Sequence, residues 1–227
     1  MANHLDLEEQ EQLDELKHFW KQYGNLITWA LIVVLGVVAA WNGYQLWQRN
    51  QSVQAAAMYD EVEKVVKGGD PAKADRAFWD MKDRFASALY TQQAGLLVAK
   101  MSQEAGKTDA SKAILNWLVE HAGDKGYASV ARLRLSALLI EANSYDEALK
   151  LLTTGVSPEF LALADDRKGD IYYLQGKKDE AKTEYLKAFR AFEEQTEYRR
   201  MVGVKLGSLG VDPLLVDKPK AVAEGTK

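Results

Sequence analysis

SVARLRLSALLIEANSYDEALKLLTTG (residues 129–155) and LALADDRKGDIYYLQGKKDEAKTEYLKAF (residues 161–189) superpose with a shift of 33 residues. The shift sets Tyr145-Asp146-Glu147-Ala148 on Lys178-Asp179-Glu180-Ala181 and Leu152 on Tyr185. Each stretch carries apolar residues at helical spacing, interrupted once by a short polar turn such as Leu174-Gln175-Gly176-Lys177. Each copy therefore reads as two helices folded against one another. A weaker copy upstream sets Ala113 and Trp117 on Ala148 and Leu152, and a weaker one still lies around Ala77 and Met81.

The whole body follows this reading. Gly68-Gly69 splits the first pair, where Asp70 is placed to cap a helix and Pro71 suits its first turn. Further pairs are expected at 86–105 with 108–121, at 127–142 with 145–153, and at 158–174 with 178–194. A capping helix is expected at 197–209, and a loose tail with Pro213 and Pro219 over 210–227. No alternating strand pattern intervenes. Gly169, Tyr172, Gly176, Ala181, Tyr185 and Ala188 fall where the tetratricopeptide repeat puts its small and aromatic residues, and the spacing resembles that repeat's period. Gly169 and Ala181 are expected where two helices touch, with Tyr172 and Tyr185 beside them. Units of this kind bury their apolar faces only by stacking, so three or four hairpins form an all-α solenoid.

Ahead of the repeats, residues 22–48 contain no Asp, Glu, Lys or Arg, and from Leu26 to Trp41 the one polar side chain is Thr28. A helix over 26–47 is long enough for a hydrocarbon core about 30 Å thick. Trp20, Tyr23 and Trp29 at one end and Trp41, Tyr44 and Trp47 at the other supply aromatic rings for both interfaces. A cleaved signal peptide requires a basic leader and a shorter apolar core, whereas residues 1–25 hold six acids against Lys17 and Lys21. A soluble core helix carries a polar face that this segment lacks. The expected organisation is a short acidic tail at 1–25, a transmembrane helix at 26–47, a repeat domain at 48–209 and the tail at 210–227. Flanking lysines and arginines are nearly balanced, so charge leaves the orientation open. A short cytoplasmic tail with the long domain translocated is the simpler arrangement.

The acidic leader accounts for the whole net charge of −4, and the remaining 27 acids and 27 bases give no footprint for nucleic acid. There is no cysteine, which excludes disulfides and thiolate metal sites. His4, His18 and His121 show no metal-ligand spacing, and adjacent acids such as Asp165-Asp166 point to different helix faces. No nucleophile constellation or phosphate loop occurs, so a non-enzymatic role without cofactor, metal or small-molecule substrate is expected. In this repeat class the inner surface is lined by the first helix of each pair. The repeat phase places Leu133, Ala137 and Ile140 there from one repeat and Asp166, Asp170 and Tyr173 from the next, a mixed apolar and acidic groove for protein binding.

DELKHFWKQYGN (residues 14–25), running straight into the apolar segment and then into QAAAMYDEV (residues 54–62), resembles the YfgM family of ancillary SecYEG translocon subunits over essentially the whole chain. The resemblance implies a single-pass protein of the bacterial inner membrane, its N-terminus cytoplasmic and its repeats periplasmic. It further implies association with SecYEG and with a membrane-anchored chaperone resembling a prolyl isomerase, and help for newly exported proteins leaving the channel. It brings no catalytic residue. A scaffold joining envelope-growth or division proteins is the alternative role, and self-assembly through the groove a third.

Overall fold

The computed structural model describes residues 7–213, so most of the tail expected at 210–227 lies outside the described residues, as does His4. The chain divides into two compact units that meet between Val53 and Gln54. Every regular element among the described residues is helical.

The first unit consists of most of one continuous helix, α1 (Leu7–Lys67), which takes in residues 7–25 of the acidic leader without a break. No Pro occurs between residues 7 and 67 to end it. An 18-residue window within it averages a hydropathy of 2.0, and only 6% of that window is buried. Leu26, Val37 and Trp41 are each more than 60% exposed, which in water would be a heavy cost and in lipid none. At roughly 1.5 Å per residue, 26–47 spans about 33 Å. Two of the polar side chains inside it bond within the helix: the Thr28 hydroxyl donates to the Gly24 carbonyl at 2.7 Å and the Asn42 amide to the Val38 carbonyl at 3.0 Å. This matters because a hydrocarbon core offers no water to replace a missing partner. α1 is long and apolar enough to cross a membrane.

The second unit begins on the last turns of α1, where Ala55 and Val62 are buried. It continues through α2 (Pro71–Phe85), α3 (Leu89–Glu104), α4 (Thr108–His121), α5 (Lys125–Glu141), α6 (Tyr145–Thr153), α7 (Leu161–Leu174), α8 (Lys178–Ala191) and α9 (Glu197–Ser208), with a 3₁₀ turn at Pro158–Phe160. The pairs α3/α4, α5/α6 and α7/α8 turn identically. In each, one residue takes a positive φ: Gly106 at 71°, Asn143 at 59° and Gly176 at 77°. The next amide reaches back to close the helix end, Lys107 to the Ser102 carbonyl at 2.7 Å, Ser144 to Leu139 at 2.8 Å and Lys177 to Tyr172 at 2.9 Å. This is the Schellman closure, and it fixes the angle at which the second helix returns. Asn143 stands where glycine is usual, and its side-chain oxygen accepts from the Tyr145 hydroxyl at 2.8 Å.

These turns set the true register of the repeats. Counted from them, Ser111, Ala148 and Ala181 are equivalent and fully buried, as are Leu115, Leu152 and Tyr185. The register that set Ala113 and Trp117 on Ala148 and Leu152 is therefore corrected, and Ala113 is exposed. The cause is that Gly106 and Asn143 are farther apart in sequence than Asn143 and Gly176, so no constant shift aligns all three copies. The first pair is corrected likewise: Ala74 and Phe78, both fully buried, take the places given to Ala77 and Met81, although Met81 is also core.

Helix limits differ from expectation in two informative places. Residues 123–126 read as a turn, yet α5 already starts at Lys125, because the Asp124 carboxylate accepts from the Gly126 amide at 2.8 Å and the Tyr127 amide at 3.0 Å. An N-cap of that kind outweighs the poor helix propensity of Gly126. The helix expected from 86 begins only at Leu89, since the Ala88 amide and the Thr91 hydroxyl both turn back to the Phe85 carbonyl. Asp70 caps α2 as expected, accepting from Ala72 and Lys73 amides.

Packing proceeds in order along the chain. One core gathers the end of α1 with α2 to α5 around Phe78, Met81, Ile114 and Leu118. A second joins α5, α6 and α7 around Leu152 and Ile171, and a third joins α8 to α9 around Phe189, Val202 and Leu206. Within α7/α8, a methyl placed on Gly169 would come within 2.5 Å of the Tyr185 ring. Gly169 is thus the residue that lets these helices approach. Gly169→Ala is expected to destabilise the fold by about 1–3 kcal/mol, the usual range for overpacking. Urea denaturation of the two proteins side by side, followed by near-ultraviolet circular dichroism, measures it.

Candidate protein-interaction site

Helices α5 and α7, the first members of adjacent pairs, enclose a shallow concavity of about 350 Å³. Ala137, Ile140 and Glu141 line it from α5, and Arg167, Asp170, Tyr173 and Leu174 from α7. Tyr173 and Leu174 are about half exposed and face it together, so apolar surface meets three charged groups in a small space.

Four of the six residues expected from the repeat phase, Ala137, Ile140, Asp170 and Tyr173, come together here. The other two do not line it. Leu133 is buried in the core with Leu152 and Ile171, and Asp166 is only 7% exposed. Both lie a turn too early, since the concavity opens toward the C-terminal ends of α5 and α7. The members missed were Glu141, Arg167 and Leu174. Their spacing supplied the signal, since Arg167, Asp170 and Leu174 follow i, i+3 and i+7, and Ile140 with Glu141 follows Ala137 in the same way.

An ion cluster holds the acidic side of the groove. Lys205, from α9, donates to both Asp166 carboxylate oxygens at 2.7 and 2.9 Å and pairs with Asp170 Oδ1 at 2.7 Å. The Tyr185 hydroxyl, from α8, also donates to Asp170 Oδ1 at 2.7 Å. Three helices thereby converge on one carboxylate pair. Burial raises the Asp166 carboxyl above its ordinary range, aided by the charge of Asp170 and opposed by Lys205. For Lys205, burial works against the charged form, but the hydrogen bonds it donates to Asp166 and Asp170 outweigh it and raise the ammonium. Tyr185 is raised strongly by burial and by the hydrogen bond it gives Asp170. Next to this cluster, Lys168 bridges Asp165 at 2.6 Å and Glu184 at 3.4 Å.

The cluster is a set of satisfied pairs, with no free nucleophile and no base aimed at an open position. Among the described residues no group of three or more His, Asp or Glu could hold a metal ion. What the concavity can do is accept side chains of another polypeptide, apolar ones against Ile140, Tyr173 and Leu174 and polar ones at Glu141 and Arg167.

Stacked helical pairs with a groove along their first helices define a helical-repeat interaction scaffold. The chain belongs to the tetratricopeptide repeat-like domain family, whose model matches residues 17–211. It is 29% identical over 213 residues to a protein of Neisseria gonorrhoeae named ancillary SecYEG translocon subunit, a match that covers 92% of this chain and 100% of the relative. A protein of the same name from Haemophilus influenzae is 29% identical over 205 residues, covering 89% of this chain and 98% of the relative. A third, from Escherichia coli K12, is 22% identical over 178 residues, covering 77% and 84%. These relatives agree with the resemblance carried by residues 14–25 and 54–62.

The raised Lys205 and Tyr185 values have a definite consequence for stability. Both groups hold their protons more tightly in the native state than unfolded, so their contribution is complete below the unfolded values near 10 and is lost as pH rises through the higher native ones. Urea midpoints measured from pH 8 to 12 should fall at the alkaline end, and the fall should be shallower in Lys205→Met.

Proposed function

We propose that this chain is a membrane-anchored, non-enzymatic protein-interaction module working beside the SecYEG translocon of the inner membrane. In this reading residues 26–47 lie in the lipid bilayer, residues 1–25 stay in the cytoplasm, and the repeat domain at 48–209, with the tail at 210–227, stands in the periplasm. The groove around Ala137, Ile140, Asp170 and Tyr173 takes segments of newly exported proteins or of a membrane-anchored, prolyl-isomerase-like chaperone, and Leu133 and Asp166 support it from beneath. The observation that carries this reading is the extent of the family match, residues 17–211, which takes in both the apolar helix and the repeats. It is supported by relatives of nearly the same length that are named ancillary SecYEG translocon subunits.

Tethering supplies the mechanism. A concavity of about 350 Å³ gives only modest contact, but an anchored domain meets its partners at an effective concentration that can reach the millimolar range. Weak, short-lived binding then suffices, and weak binding is what a protein handing on unfolded chains requires.

A photo-crosslinking residue at position 140 or 173 of the full chain is expected to capture translocon components, exported chains or the chaperone. The yield should drop when export is blocked or the chaperone is removed. Adducts of equal intensity in cells lacking both overturn the reading.

A further inference from the structure

A second concavity, of about 480 Å³, lies on the other face of α5, between α4 and α6. At 100° per residue, Arg132, Leu135 and Leu139 point away from Ala137, Ile140 and Glu141, so the two sites share a helix and no surface. Its floor is apolar, built from Leu135, Leu139 and Leu151, and its rim carries Lys112, Arg132 and Lys150 against the single acid Glu147.

Lys64, Lys73, Lys168, Lys187 and Lys205 each pair with a carboxylate, whereas Lys112, Arg132 and Lys150, like Arg76, Arg84 and Lys125 elsewhere in the domain, have no ion-pair partner among the described residues. What sets these three apart is that they line one concavity together. Arg132 is held by packing instead. Its guanidinium lies against the backbone of Gly155, where a methyl would come within 2.8 Å of Nη2, and its buried Nε has no hydrogen-bond partner. Gly155, at φ 73°, therefore both makes the turn and leaves room for the arginine. A positioned, unpaired arginine flanked by two lysines over leucines is a receptor for a carboxylate that has an apolar side chain beside it.

We propose that this face binds an acidic peptide segment of a partner protein, with a carboxylate on Arg132 between Lys112 and Lys150 and a neighbouring apolar side chain on the three leucines. Three cations against one acid is a local surplus of positive charge in a body whose 27 acids and 27 bases otherwise balance. The leucine floor favours a peptide over a bare anion.

Fluorescence anisotropy with the full chain in non-ionic detergent tests this, using a labelled peptide of alternating Asp and Leu beside its Asn/Leu counterpart. The acidic peptide should bind at least about tenfold more tightly than the neutral one, with a salt-dependent affinity. Lys112→Gln with Lys150→Gln should weaken binding by about tenfold, and Glu147→Gln should strengthen it by about threefold. Tyr173→Ser, in the other groove, should leave it unchanged. No binding of the acidic peptide, equal binding of the two peptides, or an affinity untouched by the double lysine variant overturns the proposal. So does displacement of the peptide by inorganic phosphate or by phosphatidylglycerol vesicles, which assigns the site to phosphate or lipid.

Discussion

The close approach of two helices within each pair is the constraint on which the repeat domain depends. It requires a small residue on the first helix, a small residue one turn into the second, and a turn that brings the second back at a set angle. Ala99, Ser136 and Gly169 meet the first requirement, and Ser111, Ala148 and Ala181 the second. The positive-φ residues Gly106, Asn143 and Gly176 meet the third. Where the first helix carries only hydrogen, at Gly169, the second can carry a full tyrosine ring at position 185. Where it carries Ala99 or Ser136, the equivalent position of the second helix carries a leucine, at 115 or 152. Volume is conserved across each pair, as dense packing demands.

That exchange of volume has a further effect in the last pair. Tyr185 fills the space over Gly169 and its hydroxyl reaches Asp170, which also receives Lys205 from α9. Helix α9 is therefore joined to α7 by charge as well as to α8 by Val202 and Leu206. It covers apolar surface of α8 and also neutralises an acid of the groove. The candidate site and α9 are thus one structure, so the groove's electrostatics are set by a helix that does not line it.

The two faces of α5 line two different concavities. One presents Ala137, Ile140 and Glu141 to a mixed apolar groove, and the other presents Arg132 above Leu135 and Leu139. A helix with apolar residues on both faces has little amphipathic character of its own, and α5 holds its place through neighbours, including the Arg134 guanidinium donating to the Leu96 carbonyl at 2.7 Å.

Much was legible from residue order alone. The length of the uncharged run ahead of Arg49, the periodicity of apolar residues after it, and the Asp70 cap with Pro71 are local properties, so the apolar helix and the sequence of helical pairs followed directly. Four groove residues followed too, because repeat phase and helical spacing place side chains on faces. What only the tertiary structure decided were distances between segments far apart in sequence. The unequal spacing of Gly106, Asn143 and Gly176 moved the register from Ala113 to Ser111, and the opening of the concavity toward the C-terminal ends of α5 and α7 left Asp166 out of the groove. Arg132 stood over Gly155 for the same reason. A chain's order dictates which face a side chain occupies within its helix, but which helix then covers that face depends on how the stacked pairs settle against one another.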